Sequence, residues 1–173
     1  DDKSKKATVI DPSTSINKTH CILESKKLEL KYIINTHHHV DHTSKNKKLR
    51  ELHSNAKIVA SEREYGTSNV KIDIKVNDNS KLYVGNICLD FLLTPGHSTD
   101  GLCIIADNKA LFTGDTLFID DCGRADLPGG NIKDLFESLQ RIKDLSNDLI
   151  IYPGHNYSSK PFDTLGNQIE KNK

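Results

Sequence analysis

Four times in this chain an apolar run breaks at a tight turn that carries a histidine or an aspartate. YIINTHHHVDH (32–42) gives His37, His39, Asp41 and His42; FLLTPGHS (91–98) gives His97; LFTGDT (111–116) gives Asp115; IIYPGH (150–155) gives His155. Strand ends are where sites are built, because a sheet fixes the positions of the side chains and the loop leaves open space. The pattern therefore calls for a fold in which several strands deliver their ends to one place. Gly96, Gly114 and Gly154 each directly precede one of these residues, which suits a backbone that turns sharply beside a crowded centre.

The intervening segments supply an α/β framework. ATVIDPS (7–13) reads as the end of a strand, 13–29 has helical spacing with Ile16, Cys21, Ile22, Leu23 and Leu28 available for burial, and 31–36 is a short apolar strand. Segment 43–54 reads as a helix and 57–61 as a strand, so the first part alternates helix and strand as a layered fold does. From 71 to 114 the chain reads as a β-meander with antiparallel neighbours, hinged near Gly85 and Asn86 and turning again around Asn108. An amphipathic helix follows over 130–145, carrying Ile132, Leu135, Phe136, Leu139, Ile142 and Leu145, with Asn131 as its N-cap. A final buried strand over 149–155 stops at Pro153-Gly154. With no internal repeat or low-complexity linker, residues 1–173 are expected to form one domain.

Composition narrows the function. Lys plus Arg equals Asp plus Glu at 24 each, so no basic excess points to nucleic acid or to an anionic membrane face. No apolar run approaches a membrane span, and the charged start DDKSKK lacks the apolar core of a signal peptide. The four cysteines form no C-x-x-C pair, so each is expected to be a small buried hydrophobe in a cytoplasmic protein. The sequence sets no oligomeric state.

Imidazole and carboxylate are good donors for zinc and iron. Seven such groups exceed one tetrahedral ion but suit two ions sharing a bridging carboxylate, and a bound zinc lowers the pKa of water to about 7. His38 alternates away from His37 and His39 on an extended backbone and is expected not to be a ligand. His20 and His53 are expected to be ordinary surface or satisfied core histidines.

With those residues in view, the chain resembles the metallo-β-lactamase superfamily. THHHVDH carries the H-x-H-x-D-H signature of that group, and TPGHS, FTGDTLF and YPGHNY are similar to its later ligand motifs in their usual order. The resemblance implies an αββα sandwich with the site at one edge of two sheets. It implies His37, His39 and His97 around a first metal, Asp41, His42 and His155 around a second, and Asp115 as the bridge. GDTLF followed by CGRADLPGG (122–130) is similar to the glyoxalase II group, to thioester hydrolases of polyketide clusters and to persulfide dioxygenases. The strand pair that usually precedes the stretch matching VIDPS has no counterpart here, so the expectation is either an N-terminally incomplete domain or a sheet left with an unprotected edge.

The leading expectation is a hydrolase with two zinc ions, cleaving a small-molecule thioester through a hydroxide shared by the metals. Asp41 and Asp115 serve the reaction in that reading, and Arg124 pairs with a substrate carboxylate. The alternative is a persulfide dioxygenase with one iron(II) held by His37, His97 and Asp115, with Cys122 and Arg124 in the stretch that resembles that group. A third expectation is a non-catalytic protein of the same fold.

Overall fold

The computed structural model of the protein describes residues 1–64, 70–78 and 80–172. The N-terminal half contains β1 (Lys6–Ile10), α1 (Ile16–Ser25), β2 (Glu29–Ile34), the single turn α2 (Val40–Thr43), α3 (Asn46–Leu52), β3 (Lys57–Ser61) and β4 (Ile74–Val76). Then come β5 (Lys81–Val84), β6 (Ile87–Leu93), β7 (Leu102–Ala106), β8 (Ala110–Gly114), and the short pair β9 (Leu117–Phe118) and β10 (Asp121–Cys122). The chain closes with α4 (Ile132–Lys143), β11 (Ile150–Pro153), β12 (Asp163–Thr164) and α5 (Leu165–Lys171).

The strands form two main sheets. One is wholly parallel in the order β1-β2-β3-β4, and the other runs β12-β11-β8-β7-β6-β5, with β11 parallel to β8 and its remaining pairs antiparallel. Three apolar clusters define the layers. Tyr32, Ile34, Val59, Phe91, Leu102 and Ile104 fill the space between the sheets. Ile16, Leu23, Ile33, Leu49 and Ile58 bind α1 and α3 to the outer face of the parallel sheet. Cys103, Leu111, Ile142, Ile151 and Leu165 bind α4 and α5 to the outer face of the other. Because side chains alternate along a strand, Ile33 and Ile34 serve different layers, and a strand buried on both faces reads as a continuous apolar run. The result is the αββα sandwich.

Several local outcomes differ from the sequence reading. Helix α1 ends at Ser25 because Lys27 takes a left-handed conformation (φ 53°), and the Leu28 N–H closes on the Leu23 carbonyl at 2.8 Å. That is a Schellman stop, and it releases Glu29 to begin β2. The strand expected at 71–78 does not join the antiparallel meander: β4 pairs in parallel with β3, and the Asp73 carboxylate fixes the junction by accepting from the Ile58 N–H at 2.8 Å. Asn131 caps α4, its side chain accepting from the N–H groups of Lys133 and Asp134, but Ile132 and Phe136 lie exposed while Leu135 and Ile142 are buried. The strand at β11 is not the last, since β12 and α5 follow it. Of the cysteines only Cys103 is buried; Cys21 is exposed and Cys88 and Cys122 are half-buried, all four being free thiols. Among the described residues β2 is the one strand partner of β1.

Candidate metal centre

Four strands end at one edge of the sandwich. β2 feeds the loop carrying His37 and His39, α2 presents Asp41 and His42, β6 leads to His97, β8 to Asp115 and β11 to His155. The parallel register of β8 and β11 pairs Gly114 with Pro153, which brings the segments carrying Asp115 and His155 side by side. All seven residues singled out in the sequence come together there, as two clusters that meet at Asp115.

The first cluster is His37, His39 and His97. His37 Nδ1 faces Thr36 Oγ1 at 3.1 Å, and that hydroxyl donates to Asp11 Oδ2 at 2.6 Å, so the hydroxyl oxygen accepts the Nδ1 proton. His97 Nδ1 donates to the Arg124 carbonyl at 2.8 Å. In their neutral forms both rings then turn an unprotonated Nε2 inward, and both point at His39 Nδ1, at 3.0 and 3.1 Å. At most one proton, on His39, can lie among three converging nitrogens.

The second cluster is Asp41, His42 and His155. His42 Nδ1 donates to Asp11 Oδ2 at 2.9 Å, which turns its Nε2 inward to 3.2 Å from His155 Nε2. Asp41 Oδ2 lies 3.2 Å from His155 Nε2 and is half exposed. Asp115 faces both groups: Oδ1 is 3.3 Å from His42 Nε2, while Oδ2 is 3.7 Å from His97 Nε2 and 3.4 Å from His155 Nε2. Its Oδ1 is buried without a hydrogen-bond partner.

These residues fit metal ions. Two nitrogens bound to one tetrahedral zinc at about 2.0–2.1 Å stand about 3.3 Å apart, close to the imidazole spacings here. An orphaned buried carboxylate oxygen costs free energy unless something coordinates it. The outer hydrogen bonds to Asp11, Thr36 and the Arg124 carbonyl fix each ring in the orientation that a ligating histidine needs.

Electrostatics divide the two clusters. Burial, followed by the neighbouring imidazoles of His42 and His39, holds His37 far below the ordinary histidine pKa, and burial with His97 lowers His39. Burial also opposes charge on His42, but the Asp11 and Asp115 carboxylates on either side outweigh it and push its pKa up to about 10. Burial works against ionising Asp115 as well, yet the His42 imidazolium beside it keeps its pKa lowered. Without metal, charge is thus disfavoured on His37 and His39 of the first cluster and favoured on His42 of the second, which lies between two carboxylates.

Two glycines make the crowding possible. Gly114 sits at φ 50°, and a Cβ there would lie 2.5 Å from Thr36 Oγ1. A Cβ on Gly154 would lie 2.4 Å from Asp115 Oδ1 and 2.8 Å from His42 Cε1. On the open side, the exposed Tyr157 ring stacks over His155 at 5.3 Å and meets Phe118 edge-on at 5.0 Å.

Other expected residues fall differently. His38 turns away from the clusters, and its Nδ1 lies 2.7 Å from Asp100 Oδ1, a buried carboxylate. The exposed Arg124 side chain forks onto Asp126, with Nε and an NH2 group at 2.6 and 2.7 Å from the two oxygens. His20 and His53, expected from the sequence to be ordinary surface or satisfied core histidines, have ring nitrogens 3.1 Å apart. Asp11 and Asp100 escaped the sequence reading as site residues. Asp11 had a usable signal, since VIDPS is another apolar run ending in an acid, whereas nothing local marks Asp100.

The metallo-β-lactamase superfamily model matches residues 2–155. The chain is 33% identical over 172 residues to the probable polyketide biosynthesis zinc-dependent hydrolase PksB of Bacillus subtilis, covering 98% of this chain and 76% of that one. It is 37% identical over 171 residues to the hydroxyacylglutathione hydrolase of Pelagibacter ubique, covering 92% of this chain but only 65% of that protein. Among solved structures, ETHE1 from Myxococcus xanthus superposes with a TM-score of 0.89 at 28% identity, over 99% of this chain and 75% of that one. Fold, converging strand ends and matched sequence agree, and the chain belongs to the metallo-β-lactamase superfamily.

Proposed function

We propose that this chain works as one catalytic domain, a hydrolase that cleaves a small-molecule thioester with two zinc ions. The observation that carries the reading is Asp115, whose two carboxylate oxygens face different imidazole clusters. The names of the relatives support the chemistry, one a zinc-dependent hydrolase and one a hydroxyacylglutathione hydrolase. In this proposal His37, His39 and His97 would hold the first ion, Asp41, His42 and His155 would hold the second, and Asp115 would serve both.

Zinc held there supplies water acidified to near neutrality and a Lewis acid for the thioester carbonyl. The chain's own groups do the rest. Asp41, the most exposed of the carboxylates here, accepts a hydrogen bond from the attacking water and aims it. Asp11 and Thr36 keep the imidazole nitrogens turned inward, so the site needs no rearrangement before reaction. Tyr157 and Phe118 form an apolar wall on which an acyl or thiol chain can rest. Arg124 meets a substrate carboxylate by exchanging it for Asp126. Four free thiols suit a reducing, cytoplasmic setting.

The second reading is a mononuclear iron dioxygenase using His37, His97 and Asp115, and the stretch CGRAD (122–126), which resembles that of persulfide dioxygenases, favours it. It leaves the cluster of Asp41, His42 and His155 without a task, which is why the hydrolase is preferred. Elemental analysis of protein purified without added metal separates the two, paired with hydrolysis of a lactoylglutathione-type thioester and oxygen uptake on glutathione persulfide. About two zinc per chain with thioester cleavage is expected. About one iron per chain with oxygen uptake would overturn the proposal.

A further inference from the structure

A second group of metal-type side chains lies on the outer helical layer. His20 and Glu24 stand one helical turn apart on α1, and His53 caps the C-terminus of α3. His20 Nδ1 and His53 Nε2 are 3.1 Å apart, the rings meet edge-on at 5.2 Å, and one ligand atom from each of the three residues falls within 4.8 Å of the others.

Sequence spacing alone does not demand this arrangement, because 33 residues separate the two histidines. It arises because Ile16 and Leu23 of α1 and Leu49 of α3 pack in one apolar cluster, which sets the helices side by side and leaves their polar faces converging. Both rings are half-buried while Glu24 is exposed, so the group opens to solvent on one side. The His20–His53 spacing repeats that of the imidazoles in the centre and approaches the roughly 3.3 Å expected of two nitrogens on one tetrahedral zinc. Two imidazoles and a carboxylate, with a fourth position left to water, form a complete donor set for a late divalent transition metal.

We propose that His20, Glu24 and His53 form a separate binding site for a divalent transition metal such as zinc, bracing α1 against α3. The segments it ties together are those that flank the centre. α1 follows Asp11, and α3 follows the turn that carries Asp41 and His42. The site does not depend on the hydrolase reading, since none of its ligands belongs to the two clusters at the sheet edge.

The test uses the full chain with its centre loaded and excess metal removed, titrated with zinc chloride by calorimetry alongside thermal unfolding. The wild type is expected to take up about one further equivalent per chain, and its Tm to rise with it. His53→Ala should weaken that uptake about 100-fold or more and abolish the Tm rise, since even a lost outer partner costs about 10–100-fold. Its tightly bound metal content should match the wild type. Glu24→Gln changes only an exposed side chain, so it folds as the wild type does, and it should weaken the same equivalent about tenfold. No further equivalent in the wild type, or equal uptake by wild type and His53→Ala, would overturn the proposal. Metal retained in the centre is read separately, so failure here leaves the two-zinc reading intact.

Discussion

Asp11 Oδ2 and His42 Nδ1 lie 2.9 Å apart across 31 residues of chain, and the same oxygen accepts from Thr36 Oγ1 at 2.6 Å. One carboxylate at the end of β1 thus sets the direction of a ring in each of the two clusters. Replacing it with alanine should free both rings and lower metal affinity about 10–100-fold. A chelator competition on Asp11→Ala and wild type measures this. Asp11→Asn, which keeps an acceptor, should fall between them.

The unequal protonation of the two clusters predicts unequal pH dependence. With a pKa near 10, His42 holds its proton through neutral pH and must release it to bind metal. The second ion should therefore release about one proton on binding at pH 7–8, seen as a dependence of calorimetric heat on buffer ionisation. As pH falls the second ion should leave before the first, because His37 and His39 resist protonation. The metal-free fold behaves oppositely. A folded pKa above the ordinary value of about 6.5 stabilises fully below that pH. The contribution is lost as pH climbs through about 10.

Consecutive residues in THHHVDH should give different metal stoichiometries. His38→Gln should retain the wild-type metal content, since its ring faces Asp100. It should lower stability instead, by roughly 1.5–3 kcal/mol for a buried hydrogen bond to a charged group. His39→Gln should lose metal at unchanged or higher Tm of the metal-free form. Metal analysis and thermal melts of the pair decide it, and metal loss in His38→Gln would contradict the assignment.

Gly114→Ala combines two penalties. Its positive φ costs about 1–2 kcal/mol for a residue with a Cβ. The added carbon would also strike Thr36, whose hydroxyl supports His37. Loss of stability and of metal together is the expected outcome, read by Tm and elemental content. Loss of stability with full metal content would show that Thr36 can move without disturbing His37.

Arg124 offers a test of substrate charge. If it exchanges Asp126 for a substrate carboxylate, Arg124→Gln should raise KM about tenfold for an acidic thioester, a modest effect because the pair is solvent-exposed. KM for an uncharged thioester should not change. Equal changes for both substrates would remove Arg124 from recognition.

The metal-type residues were legible in the sequence because each follows an apolar strand and a turn, a signature that local chain geometry writes directly. YIINT, FLLTPG, LFTG and IIYPG announced strands whatever they paired with, and the amphipathic spacing around Leu135 and Ile142 announced α4. The alternation of Ile33 with Ile34 and of Cys103 with Ile104 was equally local, and it set two faces to be buried.

Only the tertiary structure decided which strand joined which sheet, and so placed β4 beside β3 in parallel although its sequence suits either sheet. It alone joined Asp11 to His42, His38 to Asp100 and His20 to His53, pairs separated by 31, 62 and 33 residues. The sequence determined what kinds of side chain stand at the ends of the strands. The packing of two sheets and their helices determined which of them meet, because a hydrogen bond or a shared ligand position depends on distances of a few ångströms that no local spacing can set.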